Sequence, residues 1–558
     1  MVSVNFFRFF LGFILLVSFA NAQTVKYTLA DTLKGSITDQ RSWWDVLYYD
    51  LHVAFNYEDS SINGYNKITY KVLEKYCNKC NLKEPLNIMQ VDLLEPLVLD
   101  SICYNTKRCF WHGSKGMYWV HVPDPQSINS IQAITIYYHG KPHVAKNAPW
   151  DGGVIWARDA NKNPWISIAC QGMAGSVWYP CKDHQSDEPD SSSLHITTAK
   201  GQVCVSNGRL RSKKTNADGS ITYNWTVVNP INNYNIIPYI GKYVNFNDTF
   251  NGKGGILDLD FWVLEGNLEK AKIQFAQVKP MLRCFENWFG KYPFYEDGYK
   301  LVQSPFLGME HQSGIAYGNN FINGYMGRDL SGTGWGMKWD FIIIHESGHE
   351  WFGNNITVKD VADNWVHEGF TAYSENLFTE SLYGKQAGAE YVIGTRKEVQ
   401  NDEPIISDYN VNRDGSGDMY YKAANMLHSI RTIVNNDSLW KAFLQKLNKD
   451  FWHQTVTTKQ VEDMMISFLN KDLQKIFDQY LRTTQIPVFA YHIKGGKLNY
   501  RWKNCVKDFN MPLKIVDGNK EIWLQPTEKW QQINYKKTDV EVDPNFYIGK
   551  EKLKSLKQ

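Results

Sequence analysis

Short runs of alternating apolar and polar residues extend from about Trp43 to Val244, and this period of two is typical of β-strands. Residues 48–55 alternate well, and the turn-rich segment 58–64 leads into a second run over residues 66–73. The pattern predicts one large antiparallel β domain, with a boundary in the polar, Gly- and Asn-rich passage 245–255.

The spacing of apolar residues changes to that of helices after this passage. Phe275, Val278, Leu282 and Phe285 fall on one side of a helix predicted within residues 265–289. Further stretches with helical spacing cover residues 339–352, 368–383, 422–434 and 460–480. The middle of the chain is therefore predicted to be mainly helical.

Alternation returns from Val488, with Gly495-Gly496 between two strands, and predicts a small β-sandwich. The chain of 558 residues is long enough for three or four domains of roughly 150 residues each. We therefore predict a multidomain α+β protein. Its predicted domains are an N-terminal antiparallel β domain over 23–252, a mainly helical domain over 253–486 and a C-terminal β-sandwich-like domain over 487–558.

The first 22 residues have the composition of a secretory signal peptide. Arg8 precedes an almost wholly apolar run over residues 9–19, and Ala20-Asn21-Ala22 gives a small-x-small cleavage pattern before Gln23. An uncleaved anchor is the alternative. No later stretch reaches the ~18 apolar residues that a membrane span needs, so we expect no span after signal removal. The mature protein is expected to be exported, either periplasmic or secreted.

Composition excludes several other classes of protein. Sixty Lys and Arg residues against 58 Asp and Glu give a net charge of +2, so nothing indicates nucleic acid binding. A hydrophobic content of 43% is that of a folded protein rather than a disordered one. The spacing Cys77-x-x-Cys80 is compatible with half of a zinc knuckle or with a redox pair. In an exported chain a disulfide is favoured. The pairing of the nine cysteines stays open.

The segment His345-Glu346-Ser-Gly-His349 carries the clearest chemical signal. On a helix, residues four apart point the same way, so the two imidazoles can share one Zn²⁺ while Glu346 lies beside the metal. Glu368, with 18 residues between it and His349, is the candidate third ligand on the next helix. His367 is a rival, but its side chain would point about 100° away on that helix.

A second class of zinc protease, which needs H-E-x-x-H-x-x-G-x-x-H, is excluded. Phe352 takes the position of the glycine and Asn355 that of the last histidine. Zinc held by two His and one Glu polarises a carbonyl group and lowers the pKa of its bound water to about 7. Glu346 would then take the proton of the water and pass it to the leaving amine.

Several motifs in this order resemble peptidase family M1, the zinc aminopeptidases grouped with aminopeptidase N and leukotriene hydrolase. The zinc signature, Trp351-Phe-Gly-Asn354 and Glu368-Gly-Phe370 carry the resemblance. The segment Leu307-Gly308-Met309-Glu310-His311 is similar to the family's G-x-M-E-N motif, which implies that Gly308, Met309 and Glu310 bind substrate. By the resemblance, Glu310 would bind the free α-ammonium group. Leu307 and His311 depart from the motif, so the shape of the pocket for the first residue stays open.

The resemblance implies further site residues. Tyr420 matches the tyrosine whose hydroxyl group would donate to the oxyanion, with Tyr421 as the rival. Gln171 would accept a hydrogen bond from the substrate amine, or it is a loop amide without that role. Glu375 either orients His345 or His349, or is an exposed helix carboxylate. The acidic loop 183–189 is interpreted as a structural turn rather than a metal site.

The function implied by the resemblance is an exported aminopeptidase with one Zn²⁺ per chain, acting on peptides with a free N-terminus. The implied architecture is a β-saddle domain, a thermolysin-like catalytic domain and a small β-sandwich, in a short form without the family's helical C-terminal domain and with a more open cleft. Endoproteolysis, epoxide hydrolysis and a non-catalytic zinc-stabilised binding protein are the alternatives. The preferred N-terminal residue and the oligomeric state are not predicted.

Overall fold

The computed structural model describes residues 26–73, 87–170, 174–518 and 520–556. The predicted signal peptide, Gln171, Cys77 and Cys80 lie outside the described residues. The remaining seven cysteines are described as free thiols, and five of them are buried. No disulfide therefore joins any two of these seven cysteines.

The N-terminal β region contains two short helices and fifteen strands within the described residues. Its helices are α1 (Leu29–Gly35) and α2 (Asp39–Ser42). Its strands are β1 (Trp44–Asn56), β2 (Ser61–Val72), β3 (Ile88–Asp92), β4 (Val98–Tyr104), β5 (Lys107–Arg108), β6 (Phe110–Ser114), β7 (Met117–His121), β8 (Ile131–Gly140), β9 (Gly153–Arg158), β10 (Pro164–Ala169), β11 (Ser191–Thr198), β12 (Val203–Ser206), β13 (Arg209–Thr215), β14 (Ile221–Val227) and β15 (Pro238–Gly241).

These strands form an eight-stranded sheet and two smaller ones. The order in the large sheet is β13-β14-β11-β1-β2-β8-β4-β5, and the smaller sheets are β12-β15-β10-β9 and β3-β7-β6. The alternation in β1 buries Val46, Leu51 and Val53 on one face and leaves Asp50 and His52 partly exposed on the other. Pairing is antiparallel as predicted, except that β1 and β11 are parallel, a pairing between distant segments that a local pattern does not report.

The central region begins with a hairpin that the sequence pattern does not predict. Its strands are β16 (Tyr243–Gly252) and β17 (Gly255–Leu264), and it extends a sheet with β18 (Tyr299–Gln303), β19 (Gly308–Met309) and β20 (Ile315–Tyr317). The sheet order is β16-β17-β18-β20-β19. The passage 245–255 is polar because β16 is an exposed edge strand, so it is part of a sheet rather than a linker. The domain limits given above remain predictions.

Nine helices and two short strands, β21 (Ile356–Val358) and β22 (Gln454–Val456), make up the rest of the described central region. The helices are α3 (Leu268–Gln274), α4 (Val278–Phe289), α5 (Phe341–Gly348), α6 (Trp365–Tyr383), α7 (Lys385–Gly394), α8 (Tyr421–Val434), α9 (Asp437–Asp450), α10 (Thr458–Leu469) and α11 (Gln474–Arg482). The single helical stretch predicted over 460–480 is two helices, because Asn470 adopts the left-handed conformation that ends α10.

The C-terminal β region consists of two small sheets, ordered β27-β24-β23-β29 and β26-β25-β28. The strands are β23 (Val488–Lys494), β24 (Lys497–Lys503), β25 (Leu513–Asp517), β26 (Lys520–Leu524), β27 (Gln531–Asn534), β28 (Glu541–Val542) and β29 (Gly549–Lys552). The chain is thus a multidomain α+β protein, as predicted. In the described ranges, no helix has the length and apolar character needed to cross a bilayer.

Candidate functional site

Helix α5 presents the His345-Glu346-x-x-His349 segment from a rigid, buried base. Asp340 caps the helix, and its carboxylate accepts hydrogen bonds from the Ile342 and Ile343 backbone N–H groups at 3.1 and 3.4 Å. The apolar first turn of the helix is buried in the core. His349 follows the last helical residue but keeps helical dihedral angles (φ −63°, ψ −20°), so its imidazole stays on the same face as that of His345.

Glu368 comes from α6 and completes a cluster of three metal-ligating side chains. Its Oε2 atom lies 3.6 Å from His345 Nε2 and 3.3 Å from His349 Nε2. The ligand atoms of the three residues lie within 4.8 Å of one another. The two helices approach closely at Gly348, where a Cβ atom would come within 2.7 Å of Ser374 Oγ on α6.

The cluster fits a bound cation. Glu368 Oε2 is buried and has no hydrogen-bond partner among the described residues. Although burial alone would raise it, the imidazoles of His349 and His345 hold the pKa of Glu368 well below its usual range. An unpaired carboxylate oxygen facing two imidazole nitrogens is the donor set of a His₂Glu zinc site.

Both imidazoles are oriented by a partner on the other ring nitrogen. His345 Nδ1 lies 2.7 Å from Glu375 Oε1, and the second oxygen of Glu375 accepts a hydrogen bond from the Tyr391 hydroxyl group at 2.6 Å. His349 Nδ1 lies 2.9 Å from the carbonyl oxygen of Phe352. These bonds assign the Nδ1–H tautomer and leave both Nε2 lone pairs for a metal. Glu375 is thus a buried orienting group rather than an exposed one.

His367, the rival ligand, lies outside this cluster. Its Nε2 atom accepts a hydrogen bond from the Val358 backbone N–H group at 2.8 Å. Burial lowers the pKa of His367 to about 3, which keeps the ring neutral and able to accept. His367 and Glu368 are neighbours on one helix, and their side chains point in different directions, as predicted. Only Glu368 joins the ligand cluster.

Two further carboxylates lie beside the ligand cluster. Glu310 and Glu346 form a second group with His349 whose ligand atoms are within 4.8 Å of one another. Burial raises the pKa of Glu346 to about 7; the carboxylates of Glu310 and Glu368 add to this effect and the two imidazoles oppose it. Gly308 makes room for this group, because a Cβ atom there would lie 2.8 Å from Glu346 Oε1.

The segment around Glu310 is held by residues of the central region and of the N-terminal β region. Asn354 donates to the Glu310 carbonyl oxygen at 2.8 Å and accepts from Asn235 of the N-terminal β region at 2.7 Å. His311, which departs from the family motif, bonds through Nδ1 to the Tyr239 hydroxyl group at 2.6 Å. The departure at His311 is thus a buried contact to strand β15.

Tyr420 lies against the ligand cluster, whereas Tyr421 faces other groups. The Tyr420 ring stacks on His345 at 5.9 Å between centroids. Burial, followed by the carboxylates of Glu368, Glu310 and Glu346, raises the pKa of Tyr420 and keeps its hydroxyl group protonated. For Tyr421, burial raises the pKa, followed by the carboxylates of Glu375 and Glu398. The geometry favours Tyr420 as the hydroxyl donor.

A cleft with a volume of about 510 Å³ connects these groups. Its lining includes the ligand cluster, Gly308, Met309, Glu310, Glu346 and Tyr420, and also residues that the sequence analysis does not single out, namely Trp150, Tyr325, Arg328 and Glu398. The acidic loop does not line the cleft. There, Lys182 forms a buried ion pair with Asp187, and Asp183 accepts from the Ser176 backbone N–H group at 3.3 Å, as expected for a structural turn.

Residues 273–480 match the model of the peptidase family M1 domain. This part of the chain is a peptidase family M1 domain. The resemblance drawn from the motifs is therefore confirmed. The M1 domain contains the ligand cluster, Gly308, Met309, Glu310, Glu346 and Tyr420.

Curated relatives share this domain at low identity. The chain is 21% identical over 390 residues to a probable aminopeptidase 2 of Sulfurisphaera tokodaii, covering 65% of this chain and 48% of the relative. It is 24% identical over 233 residues to leukotriene A-4 hydrolase of Xenopus laevis, covering 39% and 36%. The chain thus spans about half or less of the length of these relatives.

Solved structures show a similar fold. A mutant M1 zinc metallopeptidase from Deinococcus radiodurans, crystallised with a Tyr-Ser-Ala substrate, superposes with a TM-score of 0.66 at 20% identity. The match covers 79% of this chain and 95% of that chain. The match is longer than the M1 domain, so the likeness extends beyond that domain.

Sequence reasoning missed the residues that reach the M1 domain from the N-terminal β region. Trp150 is about half exposed at the cleft, and Tyr234 is a partly buried tyrosine whose pKa is raised by burial and then by the carboxylate of Glu310. Neither residue belongs to a local motif, so no signal in the sequence identifies it. Gln171, from the same region, lies outside the described residues.

Proposed function

We propose that this chain is an exported zinc-dependent aminopeptidase that hydrolyses the N-terminal peptide bond of peptides, with one Zn²⁺ in the M1 domain. The observation that carries the proposal is the position of Glu310. Its carboxylate lies within 4.8 Å of Glu346 and His349, immediately beside the ligand cluster. A carboxylate so close to a metal site can bind a substrate ammonium group and hold the first peptide bond next to the metal.

His345, His349 and Glu368 would hold the zinc ion, because their Nε2 and Oε2 atoms converge and are free of other partners among the described residues. When bound, zinc lowers the pKa of a water ligand to about 7 and polarises the peptide carbonyl group. Glu346 would take a proton from that water and return it to the leaving amine. Gly308 and Met309, in the short strand β19, would line the path of the substrate backbone.

Tyr420 is proposed to donate its hydroxyl proton in a hydrogen bond to the oxyanion that develops in the transition state. Tyr420→Phe is expected to lower kcat about 10²–10³-fold with a small change in KM, because the bond forms only in the transition state. Steady-state kinetics on a free-amine peptide measures this. Tyr421→Phe is the matched control, and an equal loss in both variants would contradict the assignment.

Metal removal tests the zinc proposal. Dialysis against a chelator is expected to abolish peptide hydrolysis, and added Zn²⁺ is expected to restore it, because the water would lose the ion that lowers its pKa. Glu368→Gln, which removes one anionic ligand, is expected to need more Zn²⁺ for the same recovery. Full activity in protein that metal analysis finds free of divalent ions would contradict the proposal.

The proposal includes export and the predicted architecture. Cleavage after Ala22 would leave Gln23 as the first residue of protein recovered from the periplasm or medium, and N-terminal sequencing checks it. An intact Met1 on protein retained in cells would contradict export. The proposed architecture is a β-saddle domain over 23–252, a thermolysin-like catalytic domain over 253–486 and a β-sandwich-like domain over 487–558; the M1 match and the structural neighbours support it.

A further inference from the structure

A tight turn of the backbone brings Arg328 into the lining of the cleft that contains the ligand cluster. Tyr325 and Arg328 exchange two backbone hydrogen bonds of 2.9 and 3.0 Å. Between them, Met326 and Gly327 have φ angles of 52° and 75°, the positive values that a type I′ turn requires. Glycine adopts such angles freely, whereas a methionine adopts them at a cost in energy. The conformation of Met326 is therefore imposed by the contacts that the turn makes.

These contacts fix the turn to the base of helix α5. Asn319 Oδ1 accepts a hydrogen bond from the Met326 backbone N–H group at 2.9 Å. The amide group of the same side chain donates to the Gly324 carbonyl oxygen at 2.8 Å and to Asp340 Oδ1 at 2.9 Å. Asp340 is also the cap of α5, the helix that carries His345. The turn is thus held in a defined position relative to the ligand cluster.

A row of aromatic rings leads from Arg328 to the ligand cluster. The guanidinium carbon lies 5.6 Å from the centroid of the Tyr325 ring. Tyr325 meets Phe341 edge to face at 5.1 Å, and Phe341 stacks on His345 at 5.0 Å between centroids. Three steps of this size are the greatest distance between the guanidinium group and the His345 ring. An extended peptide of about five residues, at roughly 3.3 Å per residue, spans it.

The guanidinium group of Arg328 is available to a ligand. It forms no hydrogen bond or ion pair with any residue in the described ranges, and Arg328 is exposed. The neighbouring carboxylate of Asp329 is already occupied, because it accepts from the Ser331 and Gly334 backbone N–H groups at 2.9 and 2.5 Å. Among the described residues that line the cleft, Arg328 is the only Lys or Arg. The same lining contains four carboxylates, those of Glu310, Glu346, Glu368 and Glu398.

We propose that Arg328 binds a carboxylate group of the peptide substrate on the C-terminal side of the bond that is cleaved; this inference rests on the proposed aminopeptidase function. A planar guanidinium group binds a carboxylate through two parallel hydrogen bonds. An acidic first residue is not the ligand, because its side chain would lie beside the carboxylates of Glu310 and Glu346. The favoured substrates are therefore short peptides, whose C-terminal carboxylate reaches Arg328, or longer peptides with an acidic side chain at that distance.

The competing arrangement is an arginine that pairs with a carboxylate of the cleft wall and binds no substrate. Glu398 is the candidate partner, since it lines the same cleft. Its Oε1 atom lies 4.0 Å from Lys397 Nζ, and no ion pair joins it to Arg328 within the part of the chain that the structure describes. Kinetics on matched peptides distinguishes the two arrangements.

The three test peptides are tetrapeptides that differ only in their carboxylates. One has a free C-terminus, one is its C-terminal amide with Gln as the third residue, and one is that amide with Glu in place of the Gln. We expect kcat/KM to be about 5–50-fold higher for a peptide with the recognised carboxylate than for the amide without one. The difference should be mainly in KM, because the contact is remote from the reacting bond. A preference for the first peptide alone identifies the C-terminus as the ligand, and a preference for the third identifies an acidic side chain.

Variants of Arg328 connect this preference to the residue. Arg328→Gln should bring the ratio of the kcat/KM values close to one. Arg328→Lys should keep part of the preference, because it retains the charge but loses the paired hydrogen bonds. Arg283→Gln is the matched control: Arg283 is an exposed arginine on α4 that does not line the cleft, and its replacement should keep the wild-type ratio.

Peptide binding to zinc-loaded Glu346→Gln separates this proposal from the proposed function, because a Kd measured by calorimetry does not depend on turnover. The peptide with the recognised carboxylate should bind about 5–50-fold more tightly than the amide without one, and about 0.5 M NaCl should reduce this difference. If the wild-type chain cleaved no peptide while this preference in Kd remained, the aminopeptidase proposal would fail and the assignment of Arg328 would stand. The same Kd for all three peptides, or a preference that survives the addition of Arg328→Gln, would overturn the assignment.

Discussion

Glu346→Gln is expected to lower kcat for a free-amine peptide about 10²–10⁴-fold while zinc stays bound. Glutamine has the same size as glutamate but cannot accept the proton of the attacking water. The substitution also keeps the packing near Gly308, where space beside Glu346 Oε1 is small, since it adds no heavy atom. Kinetics on one peptide, together with metal analysis of the same sample, measures both effects.

Glu269→Gln serves as the matched control for this experiment. Glu269 is on α3, four-fifths of its side chain is exposed, and it is not among the residues that line the cleft. Its replacement should leave kcat unchanged. If Glu346→Gln retained wild-type kcat, Glu346 would not be the general base. If the variant were inactive and had also lost its zinc, the same change would be tested in Co²⁺-reconstituted protein.

A peptide with a free N-terminus is expected to be cleaved about 30–5000-fold faster, in kcat/KM, than its N-acetylated twin. The reason is that Glu310 would lose its cationic partner, and leaving a desolvated charge unpaired costs about 2–5 kcal/mol. Acetylation removes the positive charge of the substrate but leaves its peptide bond unchanged. The ratio of the two kcat/KM values measures the contribution of the amine anchor.

Glu310→Gln should reduce this selectivity mainly by slowing cleavage of the free-amine peptide. Glu269→Gln should keep the selectivity of the wild type. Equal cleavage of both peptides by the wild-type chain would contradict the aminopeptidase proposal and favour endoproteolysis by the same metal and base. Hydrolysis of an epoxide substrate with no cleavage of either peptide would favour the other alternative.

Local spacing predicts the parts of the site that lie on single helices. His345 and His349 are one turn apart, Glu368 and Glu375 share a face of α6, and the apolar period of α5 predicts the buried base from which the histidines project. These geometric relations follow from the helix alone. The structure packs α5 against α6, which places the two histidines beside Glu368. The sequence alone predicts these residues as partners but does not show the contact.

Features that depend on contacts between distant segments could not be predicted. Trp150 reaches the M1 domain from a turn and Tyr234 from a short 3₁₀ helix. The parallel pairing of β1 with β11 joins segments about 140 residues apart. No local period in the sequence reports these contacts. The polar hairpin of β16 and β17 was not predicted as a pair of strands, because exposed edge strands and linkers have similar compositions.

The two hydrogen bonds of Asn354 have a consequence for the size of the product. One bond fixes the main chain at Glu310, the other ties Asn354 to Asn235 in a different region, and Asn354 itself follows the ligand His349 by five residues. The separation between the proposed amine-binding carboxylate and the ligand cluster is therefore built into the framework of these hydrogen bonds. In the proposed enzyme this fixed separation determines which peptide bond reaches the metal. The enzyme would therefore release single amino acids one after another rather than dipeptides.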